Sequence, residues 1–301
     1  MWPTVITHAD ADGIISLSLF FQHIWSFKCN VYFSSAFRLK DTILMSIKRK
    51  FLNELYVFDL SASEQTLILS SFYKKIIWID HHLWPELKIP KNVETFVDPK
   101  ALSAAQLVGK YFKVDSELIE IANEIDKNVT QSEEAEFLRN LIAATKWKYP
   151  TDFNKLKTIA KNLAISGIRK FEENKNIAEM ISNYSEWIRN FKKEVFDKIK
   201  VFELENLKIA IYESSKSVPV YVINDELQKH EKAPFDIIAV IIRKDLEEGI
   251  ISKVELRTHT DKDVYKIAKN FGGGGHKVAS AFSLNATLNT EELIKIIEKS
   301  S

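Results

Sequence analysis

One cysteine, Cys29, stands in 301 residues, so no internal disulfide can form and a reducing compartment suits the chain. Glycine and proline are scarce, at eight and seven residues, and no low-complexity linker or internal repeat interrupts the sequence. No uncharged run approaches the roughly 18 residues that a membrane-spanning helix needs. The opening residues run straight into His8, Asp10 and Asp12, without the basic start and apolar core of a signal peptide. The expectation is a soluble, cytoplasmic protein with no membrane contact. Neither sign of charge is in excess: 42 Lys and Arg face 41 Asp and Glu. That balance excludes a strongly basic nucleic-acid binder while leaving room for a local basic groove. An apolar share of 46% is ordinary for a globular chain and argues against disorder. The length suits two domains with a connector.

Runs at residues 3–7, 55–59 and 75–80 are short and almost continuously apolar, as expected of parallel strands covered on both faces. Helical patterns at 13–25 and 64–72 alternate with them, which predicts an open, mostly parallel α/β sheet. From about 116 to 199 the pattern is helical, with one long amphipathic helix expected over 182–200. Strand-like runs return at 207–212, 218–223, 236–243 and 250–257, followed by helices at 262–270 and 290–299. The expected division is a catalytic domain over 1–135, a helical connector over 136–204 and a smaller mixed-sheet α/β domain over 205–301.

Three of the first-domain strands end in acids or histidines. In open α/β sheets ligands bind at the carboxyl ends of strands, so these residues stand where chemistry is expected. Thr7-His8-Ala9-Asp10-Ala11-Asp12-Gly13 alternates imidazole and carboxylate groups of the kind that divalent cations take as ligands. Its acids equally suit the N-cap of a helix. Asp59 closes the run Tyr56-Val57-Phe58, where a helix cap is again an alternative, and Asp80-His81-His82 closes another. Asp126 lies in an ordinary helical context. Half of all the glycines stand in Phe271-Gly272-Gly273-Gly274-Gly275-His276. Four in succession cost much backbone entropy, which speaks against packing alone, and their amides are suited to cradling an anion.

Taken in order, these residues resemble the DHH phosphoesterases, a family that includes RecJ-type nucleases, nano-RNA and pAp phosphatases, cyclic-dinucleotide phosphodiesterases and family II pyrophosphatases. His8-x-Asp10-x-Asp12 is similar to the first motif, Asp59 to the second, Asp80-His81-His82 to the third and Asp126 to the fourth. The stretch from Arg257 through the glycine run to His276 is similar to the family's C-terminal substrate domain.

The resemblance implies two divalent ions, Mn²⁺ preferred and Mg²⁺ the alternative. His8, Asp10 and Asp59 would hold one; Asp12, Asp59, His81 and Asp126 the other, with Asp59 shared. Asp80 would orient an imidazole, His82 would meet the scissile phosphate or the leaving oxygen, and the catalytic group would be Asp80, His82 and Asp59. Arg257, Gly273, Gly274, Gly275 and His276 would bind substrate phosphate, although Arg257 also suits a surface strand.

The tight His8-x-Asp10 spacing and the glycine run argue against a pyrophosphatase. Only 25 residues follow His276, too few for the added OB-fold of bacterial RecJ enzymes. A 3′-to-5′ exonuclease or oligonucleotide phosphodiesterase is therefore expected, acting on single-stranded RNA or DNA ends or short oligonucleotides and releasing nucleoside monophosphates. The alternatives are an enzyme for pAp or a cyclic dinucleotide, and an inactive Cdc45-type scaffold. A repair or replication protein is an expected partner.

Overall fold

The apolar runs that end in acids become the inner strands of a parallel sheet. A computed structural model describes residues 2–48, 52–127, 131–246 and 249–300, and the chain divides into two compact units, Met1–Tyr184 and Ser185–Ser301. The helical stretch 136–204 is shared between them.

The first unit alternates β1 (Thr4–His8), α1 (Ala11–Ile24), β2 (Asn30–Ser34), α2 (Leu39–Ile47), β3 (Glu54–Phe58), α3 (Glu64–Ser70), β4 (Lys75–Asp80) and β5 (Val93–Val97). Helices follow: α4 (Ala104–Phe112), α5 (Leu118–Asp126), α6 (Glu133–Lys148), α7 (Phe153–Ser166), α8 (Arg169–Glu172) and α9 (Lys175–Lys198), the last running across the division. The five strands are all parallel, in the order β2-β1-β3-β4-β5. Leu55, Val57, Ile76 and Trp78 pack with Leu39 and Ile43 of α2 and Leu67 of α3 on one face. On the other face the Phe58 ring meets Phe20 of α1 at 5.7 Å and Phe112 of α4 at 6.3 Å. Burial on both faces explains why these strands lack polar alternation. The strand order reverses between β1 and β3, and a reversal of this kind opens a crevice at the carboxyl ends of the two strands.

The second unit contains β6 (Lys200–Leu204), β7 (Leu207–Ser214), α10 (Val220–Leu227), β8 (Ile237–Leu246), β9 (Gly249–Arg257), α11 (Val264–Lys269), β10 (Gly274–His276), β11 (Ala279–Leu284) and α12 (Thr290–Ser300). Its sheet runs β10-β11-β9-β8-β7-β6 and is antiparallel except for the β7–β8 pair. The mixed α/β architecture is the one expected. The strand expected at 218–223 is instead the start of α10. Parallel β7 and β8 need a crossover between them, and α10 supplies it. Its Val220, Ile223 and Leu227 face the core at helical spacing, which overrides the β-branched character of the segment.

Candidate metal centre

β1, β3 and β4 deliver their last residues to one place. Asp59, just past β3, adopts the left-handed conformation at φ 57°, uncommon for a residue with a side chain. Its amide still donates to Ile79 O at 3.0 Å, so the strand register fixes the bend. The carboxylate is 2% exposed, with Oδ2 3.5 Å from His8 Nδ1 and Oδ1 3.6 Å from His81 Nε2. His81 Nε2 lies at the same 3.6 Å from Asp12 Oδ2 and from Asp126 Oδ2. Asp59 thus belongs both to a His8–Asp10–Asp59 group and to an Asp12–Asp59–His81 group, each with ligand atoms within 4.8 Å of one another.

Two of the acids are held by helix ends. Asp10 caps α1, accepting from Gly13 N at 3.1 Å through Oδ1, while Oδ2 meets His8 Nδ1 at 2.5 Å. The capping and metal readings of this acid are therefore compatible. Asp12 is buried and accepts from Ala104 N at 2.6 Å and Ala105 N at 2.7 Å, the first amides of α4. Gly13 lets α1 start directly against β1: a Cβ there would stand 2.3 Å from His8 O.

Electrostatics show what the cluster lacks. Burial, together with the charges of Asp10, Asp12, Asp126 and Asp80, pushes the Asp59 carboxyl well above its ordinary range. Asp12 is raised by burial and by Asp126 and Asp10, and Asp126 is raised chiefly by burial. Asp10 departs the other way: burial works against its charge, but His8 and the Gly13 amide hold it low. Asp59 Oδ2 is buried and accepts no hydrogen bond. Crowded hard oxygen donors, an imidazole pair and an orphaned buried carboxylate oxygen form a set that divalent cations complete.

Asp80 plays a different part. It is fully buried, and its two oxygens accept from His82 Nδ1 at 2.7 Å and Trp84 Nε1 at 2.6 Å. Despite burial, these partners take its pKa down to about 2. Burial disfavours charge on His82, but Asp80 outweighs it and carries the imidazole up to about 9. Trp84 meets Trp78 edge-on at 5.6 Å and fixes Asp80. Ser103 caps α4 through Gln106 N and donates to the buried Asn123 at 2.7 Å. Sequence reasoning missed the α4 amides on Asp12, because only the fold brings residues 12 and 104 together. It also missed Lys146, whose ammonium donates to Ala9 O at 2.7 Å and adds to the lowering of Asp10.

In the second unit, register pairs Ile238 with Arg257, Arg257 with Ala279, and Ala279 with His276. Directly paired residues share a face, so Arg257 and His276 flank the small side chain of Ala279 on one side of the sheet. The Arg257 guanidinium donates to Leu256 O at 2.9 Å and pairs with Glu255 at 3.3 Å. The glycine run has a packing reason after all. A Cβ on Gly273 would lie 2.2 Å from Ala281 O, so β11 approaches too closely for any side chain. The Gly273 amide donates to Ala268 O at 2.9 Å and is thereby already engaged within the fold.

Among the described residues, no helix is long and apolar enough to cross a membrane. Residues 212–300 match the DHHA1 domain. No curated protein matches the chain in sequence. Among solved structures, it is similar to the pGpG-specific phosphodiesterase PggH from Vibrio cholerae, at 14% identity and a TM-score of 0.55, covering 99% of this chain and 97% of that one. An exopolyphosphatase-related protein from Bacteroides fragilis aligns at 20% identity and a TM-score of 0.53, covering 99% and 90%. A structure of exonuclease RecJ bound to manganese aligns at 11% identity and 0.51, covering 99% and 89%. At these identities the likeness is one of fold.

Proposed function

We propose that this chain, a DHH-family protein with a DHHA1 domain at residues 212–300, is a divalent-metal-dependent phosphodiester hydrolase acting on single-stranded or short oligonucleotides. The observation that carries the proposal is Asp59: buried, bent into the left-handed region, common to two ligand groups and left with an unbonded oxygen. His8, Asp10 and Asp59 would hold one ion, and Asp12, Asp59, His81 and Asp126 a second. When bound, such ions offset phosphate charge and acidify an attacking water.

The remaining chemistry belongs to the protein's own groups. His82, oriented by Asp80 through Nδ1 and raised to about 9, keeps a proton at neutral pH. Its Nε2 is the atom that can bond a phosphate oxygen or protonate the leaving one. Asp80, itself held by Trp84, positions the ring. Asp12 is held against the α4 amides, which fixes a ligand without a flexible side chain. Arg257 and His276, on one face of the second sheet, would hold substrate phosphate; a guanidinium fork matches phosphate oxygens.

Attack from the 3′ end with release of nucleoside monophosphates is the finer form of the proposal. The fold likeness to a pGpG-specific phosphodiesterase and to exonuclease RecJ supports a nucleic acid or short oligonucleotide as substrate. A gel of labelled single-stranded oligomers of graded length, with Mn²⁺ or with EDTA, tests it. Metal-dependent laddering down to mononucleotides is expected. Cleavage confined to pAp or a cyclic dinucleotide would favour the small-nucleotide reading, and no metal-dependent cleavage of any of these would refute both.

A further inference from the structure

The second unit holds a cavity of about 340 Å³ lined by Gln228, Ala233, Pro234, Phe235, Ile238 and His259. The sheet sets its position. Ile238 is the direct cross-strand neighbour of Arg257, and His259 follows Arg257 by two residues. Adjacent strands lie about 4.8 Å apart, so the cavity is next to the strand position of Arg257, the residue assigned to phosphate. Phe235 and Ile238 are 4% and 2% exposed, so packing with the core fixes the apolar wall.

The rim is polar, with Asn224, Gln228 and His259 joined by hydrogen bonds. Asn224 is buried, and its Nδ2 donates to Asp225 Oδ1 at 3.3 Å. That turns Asn224 Oδ1 toward His259 Nε2, 2.9 Å away, so the imidazole carries its proton on Nε2. Gln228 Nε2 stands 3.0 Å from the same nitrogen. Gln228 is exposed, so its amide, with donors and an acceptor, can also reach a third group. An amide pairs a donor and an acceptor with the N6 and N7 edge of adenine, and an apolar wall suits the body of a base.

We infer that this cavity is a base-binding subsite, taking the adenine of a nucleotide whose phosphate Arg257 holds, with Gln228 reading the base edge. The inference rests on the phosphate-binding role proposed above for Arg257. It adds a selectivity device that the metal centre lacks, since the metal ligands meet only the phosphate backbone common to all nucleotides.

Calorimetric titration of the full chain with AMP, GMP and ribose 5-phosphate tests it, in the wild type, Gln228→Ala and His259→Ala. Wild type should bind AMP about tenfold or more tightly than ribose 5-phosphate, the scale of a stacked base. GMP, which offers two acceptors on the corresponding edge, should bind more weakly than AMP. Gln228→Ala should lose most of the AMP advantage while keeping its affinity for ribose 5-phosphate. Equal affinity for AMP and ribose 5-phosphate, no binding of AMP, or an AMP advantage undiminished in both variants would overturn the inference. An AMP preference removed by Gln228→Ala, in a chain that cleaves no oligomer with Mn²⁺, would keep the subsite and remove the hydrolase reading. Cleavage of oligomers without any AMP preference would do the reverse.

Discussion

Asp59→Asn should make the metal-free protein more stable while abolishing its response to metal. Asn has nearly the same shape and tolerates the left-handed backbone at φ 57° at least as well as Asp, so the bend survives. What changes is charge. Asp59 has ligand oxygens within 4.8 Å of those of Asp10 and of Asp12. Two like charges at about that distance repel by about 3 kcal/mol at an effective dielectric of about 20. Partial protonation and the neighbouring imidazoles offset much of this, leaving a gain of about 2 kcal/mol. For a unit of this size that is a rise of about 4–8 °C in Tm.

The sign follows from linkage. A folded-state pKa above the ordinary carboxyl value makes the folded form prefer the proton, so stability is lost as pH rises through the folded value. The variant should therefore match wild type near pH 3.5 and exceed it at pH 8. Differential scanning calorimetry in EDTA at both pH values, then with Mn²⁺, measures the effect. A variant less stable than wild type at pH 8 without metal, or one with an undiminished Mn²⁺-dependent rise, would refute the reasoning.

Asp80→Asn removes the charge that raises His82, so the proton on His82 should be lost at a lower pH and kcat should fall about 10–100-fold, with the loss greater at pH 8 than at pH 6; a pH–rate profile reads it. Glu213 accepts from Arg243 at 2.8 Å, Lys200 at 3.1 Å and Thr290, which takes its pKa down to about 2 although burial opposes this. Its stabilisation is present above the ordinary value of 4.5 and lost as pH falls toward 2. Allowing for its partial exposure, Glu213→Gln should cost about 1–2 kcal/mol at pH 7 and almost nothing at pH 2, by urea unfolding. Gly273→Ala should destabilise the second unit by about 1–3 kcal/mol, seen in thermal melts, because the new methyl meets the backbone of Ala281.

The strands that carry the site were legible because burial on both faces leaves an uninterrupted apolar run, and an acid ending such a run is conspicuous. Lys75–Asp80 was read at its true limits, and β1 and β3 within a residue. The edge strands β2 and β5 were not. Asn30–Ser34 and Val93–Val97 are only partly buried and mix polar with apolar residues, so neither period stands out. Residues 218–223 misled because β-branched side chains serve a helix when topology demands a crossover there. Asp126 has no local signal; it gains meaning only from His81, 3.6 Å away across 45 residues of chain. The glycine run was conspicuous, but the sequence could not show how closely β11 would approach it.

The central claim is that His8, Asp10, Asp12, Asp59, His81 and Asp126 form one centre for two cations. Titration of the metal-free protein with Mn²⁺, followed by electron paramagnetic resonance and calorimetry, tests it most directly. Two bound ions with magnetic coupling between them, lost together in Asp59→Asn, are the result expected. A single uncoupled ion, or two that persist without the Asp59 carboxylate, would contradict the account.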